Sequence, residues 1–398
     1  MRPEHHPTSA MLASIAVAGL TAGLVACGGG GDAAVTPMPG IGTAGTMRLS
    51  LTDAPSCGYD KAFVTIEKVR VHQSASAADA DSGWAEVVLP SPQRVDLLSL
   101  NNGTLLPLGQ TELAAGTYTQ MRLVLAANTA ASPLANAVTP TGGVETALTT
   151  PSGQQSGLKM NVNLTVPAGQ VADFAIDFDA CKSFVKAGNS GKILLKPVLS
   201  VIAILSSAGQ RLVGFVDPAL ANAGTTVSAQ LAGMPVRATA PDSSGRFTLY
   251  PVPAGSYDLV ITASGRVNAV MTGVPISATA STAIGSETAR INTPLSAASF
   301  IASGVVTVSG STVDTSAAVR AAQSFGGGPT IEVGYAAADA NTGAYAIGLP
   351  AGAPASLAYA AGATSFVFAS QGAAAGLYRL EASAPALPVK TADIVLLG

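Results

Sequence analysis

The sequence predicts an all-β protein built as antiparallel β-sandwich domains in tandem, behind a cleaved N-terminal export signal. Three observations carry this. Short runs with an apolar/polar period of two recur along the chain and are cut by Gly, Pro and Asn. Turn formers are abundant, 43 glycines and 25 prolines in 398 residues, while Asp, Glu, Lys and Arg make up only 11%, against about 25% in an ordinary soluble domain. A pattern near residue 214 returns near residue 304, which is an internal repeat. At roughly 150 residues per domain, the length accommodates two or three.

The chain opens with Met1-Arg2-Pro3, an apolar stretch from Met11 to Leu20, and then Leu24-Val25-Ala26-Cys27 followed by four glycines. A short apolar stretch with small residues at its end is a secretory signal, because a membrane span needs about 18 or more apolar residues. The tetrad Leu24–Cys27 resembles the bacterial lipobox. That resemblance implies a lipoprotein signal over 1–26 and a mature chain whose first residue, Cys27, is acylated and held in a lipid bilayer at about 0.8 kcal/mol per buried methylene. Gly28, standing where Asp would retain the protein elsewhere, resembles the pattern of lipoproteins sent to the outer membrane. Residues 27–45 read as a Gly/Pro-rich linker.

Removing 1–26 takes away His5 and His6 and leaves His72 as the last histidine. Multi-histidine zinc sites and the H-E-x-x-H motif are thereby excluded. His72 sits in Val69-Arg70-Val71-His72-Gln73, at the end of an alternating run, and reads as an exposed strand-end residue. No G-x-S-x-G elbow, P-loop or strand-linked G-x-G-x-x-G accompanies it. The expectation is a protein that is not an enzyme, with no catalytic residue assigned. A net charge of −3 without basic clusters argues against nucleic acid, which demands a dense Lys/Arg footprint.

With Cys27 lipidated, Cys57 and Cys181 remain in a compartment that permits disulfides. They are expected to pair, closing a loop worth about 4–5 kcal/mol in the chain-entropy account; two buried thiols are the alternative. Asp53, Asp60, Asp177 and Asp179 lie on the loops that such a bond would draw together. They are candidates for a Ca²⁺ site of oxygen ligands, with turn capping as the other role open to them.

The first domain, 46–205, shows the alternating runs 46–52, 62–71, 83–89, 117–125, 158–166 and 172–178, with short helical pieces at 96–100 and 181–186 and a long last strand over 192–205, placed by Pro197 at an edge or a bulge. Leu51-Thr52-Asp53-Ala54-Pro55, Val69-Arg70-Val71-His72, Gly83-Trp84, Asp96-Leu97-Leu98-Ser99-Leu100-Asn101-Asn102-Gly103, Ala115–Leu123, Gly157-Leu158-Lys159, Asp177-Phe178-Asp179-Ala180 and Leu195-Lys196-Pro197-Val198 follow one another in order. Together they resemble the DUF4382 family, a secreted or lipid-anchored domain of unassigned function. The resemblance implies no catalytic residues.

After Leu205 the composition turns to Ala, Gly and Thr. Residues 209–294 carry Gly214-Phe215-Val216, Val236-Arg237-Ala238, Asp242-Ser243-Ser244-Gly245-Arg246-Phe247-Thr248-Leu249 and Pro253-Ala254-Gly255-Ser256-Tyr257. This is similar to the carboxypeptidase-regulatory-like, prealbumin-type sandwich, a family grouped with starch-binding-like folds. Asp-x-x-Gly makes a tight turn and Pro-x-Gly leads into the next strand. Residues 295–398 repeat it with Ser303-Gly304-Val305-Val306, Val319-Arg320-Ala321, Asp339–Ile347 and Leu349-Pro350-Ala351-Gly352, but the tyrosine after the last glycine is missing. Two such modules behind the first domain read as a stacked rod. The expected function is surface binding or adhesion, with a glycan or an envelope protein as partner. Carbohydrate binding through Tyr250, Tyr257 and other loop aromatics is one alternative, and a structural spacer the other.

Overall fold

The computed structural model describes residues 44–53, 58–150, 156–221, 224–308 and 317–397. The signal, Cys27 and Cys57 lie outside the described residues. The described chain is almost entirely β, with several sheets, as expected. None of its helices is long and apolar enough to cross a membrane.

The first sandwich contains β1 (Ala44–Asp53), β2 (Tyr59–His72), β3 (Ala85–Asp96), β4 (Leu106–Ala114), β5 (Gly116–Leu125), β6 (Ala137–Pro140), β7 (Thr146–Thr149), β8 (Leu158–Val166), β9 (Val171–Phe178), the helical turn α1 (Ala180–Ser183), β10 (Phe184–Lys186), β11 (Ile193–Leu195) and β12 (Leu199–Ile204). One sheet has the order β12-β9-β1-β4; the other runs β10-β11-β7-β6-β2-β5-β8, with β3 also on β2. The sheets are mixed, since β1 lies parallel to β9 and β11 parallel to β7. Alternation decides which side chains enter the core: Met47, Leu49 and Leu51 of β1 are buried while Arg48 is exposed. In β2 the buried set shifts phase from Val64 and Ile66 to Val69 and Val71. A bulge between Ile66 and Lys68 inserts the extra residue that this phase change requires.

Three readings of the first domain change. β3 does not stop at Pro90 but continues to Asp96, because it pairs only with β2 and its prolines face no second ladder. The helical piece 181–186 is helical over Ala180–Ser183 alone and then becomes β10. The long strand expected over 192–205 breaks at Lys196-Pro197-Val198 into β11 and β12, which enter different sheets. Pro197 has no N–H to continue a ladder, and Ser183 takes both flanking amides, Lys196 N on its carbonyl at 2.8 Å and Val198 N on its Oγ at 2.9 Å.

The second sandwich comprises β13 (Leu212–Phe215), β14 (Thr226–Leu231), β15 (Met234–Thr239), β16 (Arg246–Leu249), β17 (Gly255–Thr262), β18 (Ala269–Ile276) and β19 (Thr282–Ile284). The third has β20 (Ser299–Val305), β21 (Ala318–Ser324), β22 (Thr330–Ala337), β23 (Ala344–Pro350), β26 (Leu377–Ser383) and β27 (Lys390–Val395), with β24 (Ala355–Ala358) and β25 (Ala369–Ser370) between β23 and β26. Their larger sheets match strand for strand, β15-β14-β17-β18 against β22-β21-β26-β27. The smaller sheets match in detail. Gly214 lies opposite Phe247 and Gly304 opposite Tyr345, and a Cβ on either glycine would stand 2.3 Å or 2.7 Å from the facing aromatic side chain. Each aromatic fills the space its cross-strand glycine leaves. The Asp turns also match: Asp242 Oδ1 accepts from Ser244 N and Arg246 N, and Asp339 Oδ1 from Asn341 N and Thr342 N. The two Val-Arg-Ala triplets are not equivalent, because Arg237 is on β15 and Arg320 on β21.

The expected stacked rod is replaced by an interlocked arrangement. After Gly352 the chain leaves the third sandwich and adds β24, parallel, to the edge of β18 in the second, with β25 outside it. Leu357, Tyr359, Phe366 and Phe368 pack on the second core, so the boundary expected at 294/295 does not separate the sheets. The first sandwich touches both others. Asn102 N donates to Thr239 Oγ1 at 2.8 Å, and Val185 and Ala187 pack with Ala340. Residues 42–398 form one compact unit.

Candidate functional site at the junction of the three sandwiches

Where the three sandwiches meet, a chain poor in charge concentrates its ionic side chains. The C-terminal ends of the parallel pair β1 and β9 bring Asp53 next to Phe178, and therefore close to Asp177, α1 and Asp179. From the second sandwich, β15 sends Arg237, 3% exposed, into this corner. Its guanidinium pairs with Asp177, donates to Thr52 Oγ1, and donates to the Asp53 carbonyl at 3.2 Å. A buried guanidinium is tolerated only when its charge and its fixed fork of donors are matched, and here the first sandwich supplies the match.

The third sandwich contributes Glu332 from β22, 7% exposed. Lys182 Nζ lies 3.0 Å from Glu332 Oε1 and 3.8 Å from Asp179 Oδ2, and 5.1 Å from the centre of the Tyr335 ring. Arg320 stands 3.7 Å from the other oxygen of Glu332 and pairs with Glu381 at 2.7 Å. The backbone of Glu332 is held by a reciprocal amide pair, with Glu332 N donating to Gln230 Oε1 at 2.9 Å and Gln230 Nε2 donating to Glu332 O at 2.7 Å. A cavity of about 300 Å³ opens beside this cluster and a second of about 340 Å³ lies against it; Asp179, Lys182, Glu332 and Tyr335 line both. The arrangement offers one ammonium, two carboxylates and a phenol to a small polar ligand.

Burial pushes the Asp179 carboxyl up to about 6; Lys182 opposes this, while the negative charges of Asp177 and Glu332 add to it. Burial, with help from Asp179 and Glu332, pushes the Tyr335 hydroxyl up to about 12. The ordinary carboxyl value is 3.8, so the folded protein takes up this proton at a higher pH than the unfolded chain does. Asp179 therefore costs stability above about pH 6, on the order of 3 kcal/mol, and the cost disappears as the pH falls to about 4. Asp179→Asn is expected to raise the urea midpoint at pH 7.5 and leave it near wild type at pH 4. An equal shift at both pH values would show that the effect is not the titration of this group.

Of the four aspartates expected as a Ca²⁺ cluster, Asp53, Asp177 and Asp179 meet in one corner but are engaged with other groups, and Asp60 stands apart. Asp177 is taken by Arg237, Asp53 Oδ1 accepts Ala180 N at 3.0 Å, and Asp179 Oδ1 caps α1 by accepting Lys182 N at 3.1 Å. Asp60 stands apart on the exposed start of β2, where it accepts from Gly142 N. Among the described residues, no group of three or more His, Cys, Asp or Glu is placed to hold a metal ion. Cys181 lies within α1, and its expected partner Cys57 is outside the described residues. His72 is half-buried at the end of β2. It accepts from Ser74 N at 2.8 Å and rests against Trp84, whose ring is covered by Arg70 and Arg122. Tyr250 and Tyr257, named as loop aromatics for carbohydrate binding, are buried, and Tyr257 lies within β17; Arg211 covers Tyr250, and the Tyr257 hydroxyl donates to Pro253 O at 2.8 Å.

Sequence reasoning named Asp53, Asp177 and Asp179 but missed Arg237 and Lys182, the cations that face them, and Glu332 and Tyr335, which Lys182 also meets. The available signal was Arg237 itself, a charge inside a strand of a chain with very few charges. Comparison with known proteins adds a family for the first sandwich only. No curated protein matches. Among solved structures, a type II cohesin–X-dockerin complex from Acetivibrio cellulolyticus, a C-terminal interface mutant, aligns at 21% identity with a TM-score of 0.16, over 19% of this chain and 52% of that one. This chain thus spans about half of that structure's length, and a likeness at that level carries no argument about fold or function. Residues 44–197, the first sandwich without its closing strand β12, match the family model described as "Domain of unknown function (DUF4382)".

Proposed function

We propose that this is a non-enzymatic cell-envelope lipoprotein, anchored in the outer membrane through acylated Cys27, that binds a partner at the three-sandwich junction. The observation that carries this reading is the cavity of about 300 Å³ in which Lys182, Glu332, Asp179 and Tyr335 from two sandwiches face one another. Its size falls at the lower end of small-molecule sites, and its few convergent polar groups suit such a site. The lipobox-like Leu24–Cys27 supports the anchor. The repeated glycine–aromatic pairs and Asp turns support carboxypeptidase-regulatory-like modules. The contact of Asp53 with Ala180 brings the chain four residues before Cys57 next to the residue before Cys181, which supports their pairing; intact mass without reductant measures it.

The test is capture of envelope extract and of a glycan array by the whole chain, with wild type beside Lys182→Ala and Tyr335→Phe. Saturable binding is expected to weaken about tenfold or more in Lys182→Ala, the loss of one charge-assisted contact. Binding that is unchanged in both variants places the partner elsewhere and overturns the reading. A spacer is the second reading, favoured by the buried Arg237 that fixes the sandwiches to one another. It predicts no saturable capture in any variant.

A further inference from the structure

The repeat that relates the second and third sandwiches leaves one strand position filled in the first copy and open in the second. In the second sandwich the smaller sheet has the order β16-β13-β19, and β19 lies parallel to β13 with Leu212 against Thr282 and Gly214 against Ile284. In the third sandwich the equivalent strands are β23 and β20, and among the described residues they form a sheet of two. The equivalence is fixed residue by residue. Gly214 faces Phe247 as Gly304 faces Tyr345, and Val216 N donates to Gly245 O at 2.8 Å as Val306 N donates to Gly343 O at 2.9 Å. Hence Leu212 corresponds to Ala302 and Phe215 to Val305.

The first copy also shows which backbone groups point toward the third strand. Thr282 N donates to Arg211 O, Ile291 N to Phe215 O, and Asp217 N to Ile291 O, each at 2.8 Å. Odd-numbered residues of this strand therefore serve the third strand, and even-numbered ones serve β16. Carried onto β20, the groups aimed at the open side belong to Ile301, Ser303 and Val305. Ile301 is 73% exposed and Val305 61%. An edge with free backbone groups and exposed apolar side chains is a template for strand addition, and this one lacks the lysine or proline that commonly blunts such edges.

We propose that the open edge of β20 is a strand-acceptor site, which binds an extended segment of a partner polypeptide parallel to Ala302–Gly304. The occupant's chemistry follows from what sits on the equivalent edge. In Thr282-Ala283-Ile284 the outer two residues are buried and the middle one is exposed, so the segment alternates a β-branched residue facing inward with a small residue facing outward. Main-chain bonds hold it, and the inward-facing side chains supply selectivity. This inference does not rest on the junction cavity, and the two fail separately.

The probe is a labelled synthetic peptide of residues 279–292 of this chain, added to the purified whole chain. Saturable binding below about 1 mM is expected, with amide exchange slowed about tenfold or more over 301–305. An Ile284→Asp peptide should not bind, because that side chain faces inward. In the protein, Ser303→Pro removes an N–H on the open side and spares the even-numbered donors to β23; it should abolish binding while thermal unfolding stays cooperative. No saturable binding overturns the proposal. So does protection at 211–215, which would mean the peptide only displaces β19. A self-association through β20 that the peptide fails to compete with also overturns it, by making a second copy the occupant.

Discussion

Arg237→Ala is expected to destabilise the protein by about 3–5 kcal/mol, the usual consequence of removing one partner from a buried ion pair. Asp177 would lose its countercharge in a corner from which water is largely excluded, and Thr52 Oγ1 and the Asp53 carbonyl would lose their donor. The change also cuts the coupling between sandwiches. Trp84 is the chain's one tryptophan and lies in the first sandwich, so its fluorescence reports that sandwich while far-ultraviolet circular dichroism reports all three. In urea the two probes should coincide for wild type and separate for Arg237→Ala. The double variant Arg237→Met/Asp177→Leu should recover most of the loss, since apolar replacement of a buried pair is often neutral or better. Coincident transitions in Arg237→Ala would show that other contacts couple the sandwiches.

Phe247→Ala is expected to cost about 3–5 kcal/mol, because it empties a fully buried aromatic position whose ring also covers Gly214. The glycine and the ring form one unit. Gly214→Ala alone would force its Cβ into the ring, while in a Phe247→Leu background the same change has room. A double-mutant cycle on Gly214 and Phe247 should give a coupling of about 1–3 kcal/mol, read from urea midpoints. Simple additivity would show that the ring moves aside without cost.

Much of the fold was legible because alternation and turn formers are local signals. The runs that became β1, β2, β5, β8 and β9 carry stretches of period-two alternation bounded by Gly, Pro or Asp, broken in β2 and β5 only by a bulge. β4 was missed because Pro107 and Gly109 interrupt its pattern, and the split of the last strand because Ser183, distant in sequence, takes the amides on either side of Pro197. Asp177 and Asp179 stood out as paired acids, but Arg237, which pairs with Asp177, lies 60 residues on in β15, and Lys182, beside Asp179, meets Glu332 of β22 across 150 residues; such pairings leave no period in the sequence. The missing tyrosine of the second repeat was a true signal with an unforeseen meaning. The tyrosine is displaced rather than lost: Tyr378, at the start of β26, donates to Pro350 O as Tyr257, at the start of β17, donates to Pro253 O, and the segment carrying β24 and β25 is inserted ahead of it.

That departure sets an order of assembly. A polypeptide synthesised from its N-terminus presents residues 209–294 well before 355–370, so the second sandwich emerges with the outer edge of β18 bare and the flank that Tyr359 and Phe366 cover still wet. It is completed only when the third has begun to fold. Shortening the chain after residue 294 would therefore yield a second sandwich with an exposed hydrophobic seam, prone to stick to its neighbours. The two modules are a single unit of biogenesis, although their sequences read as two.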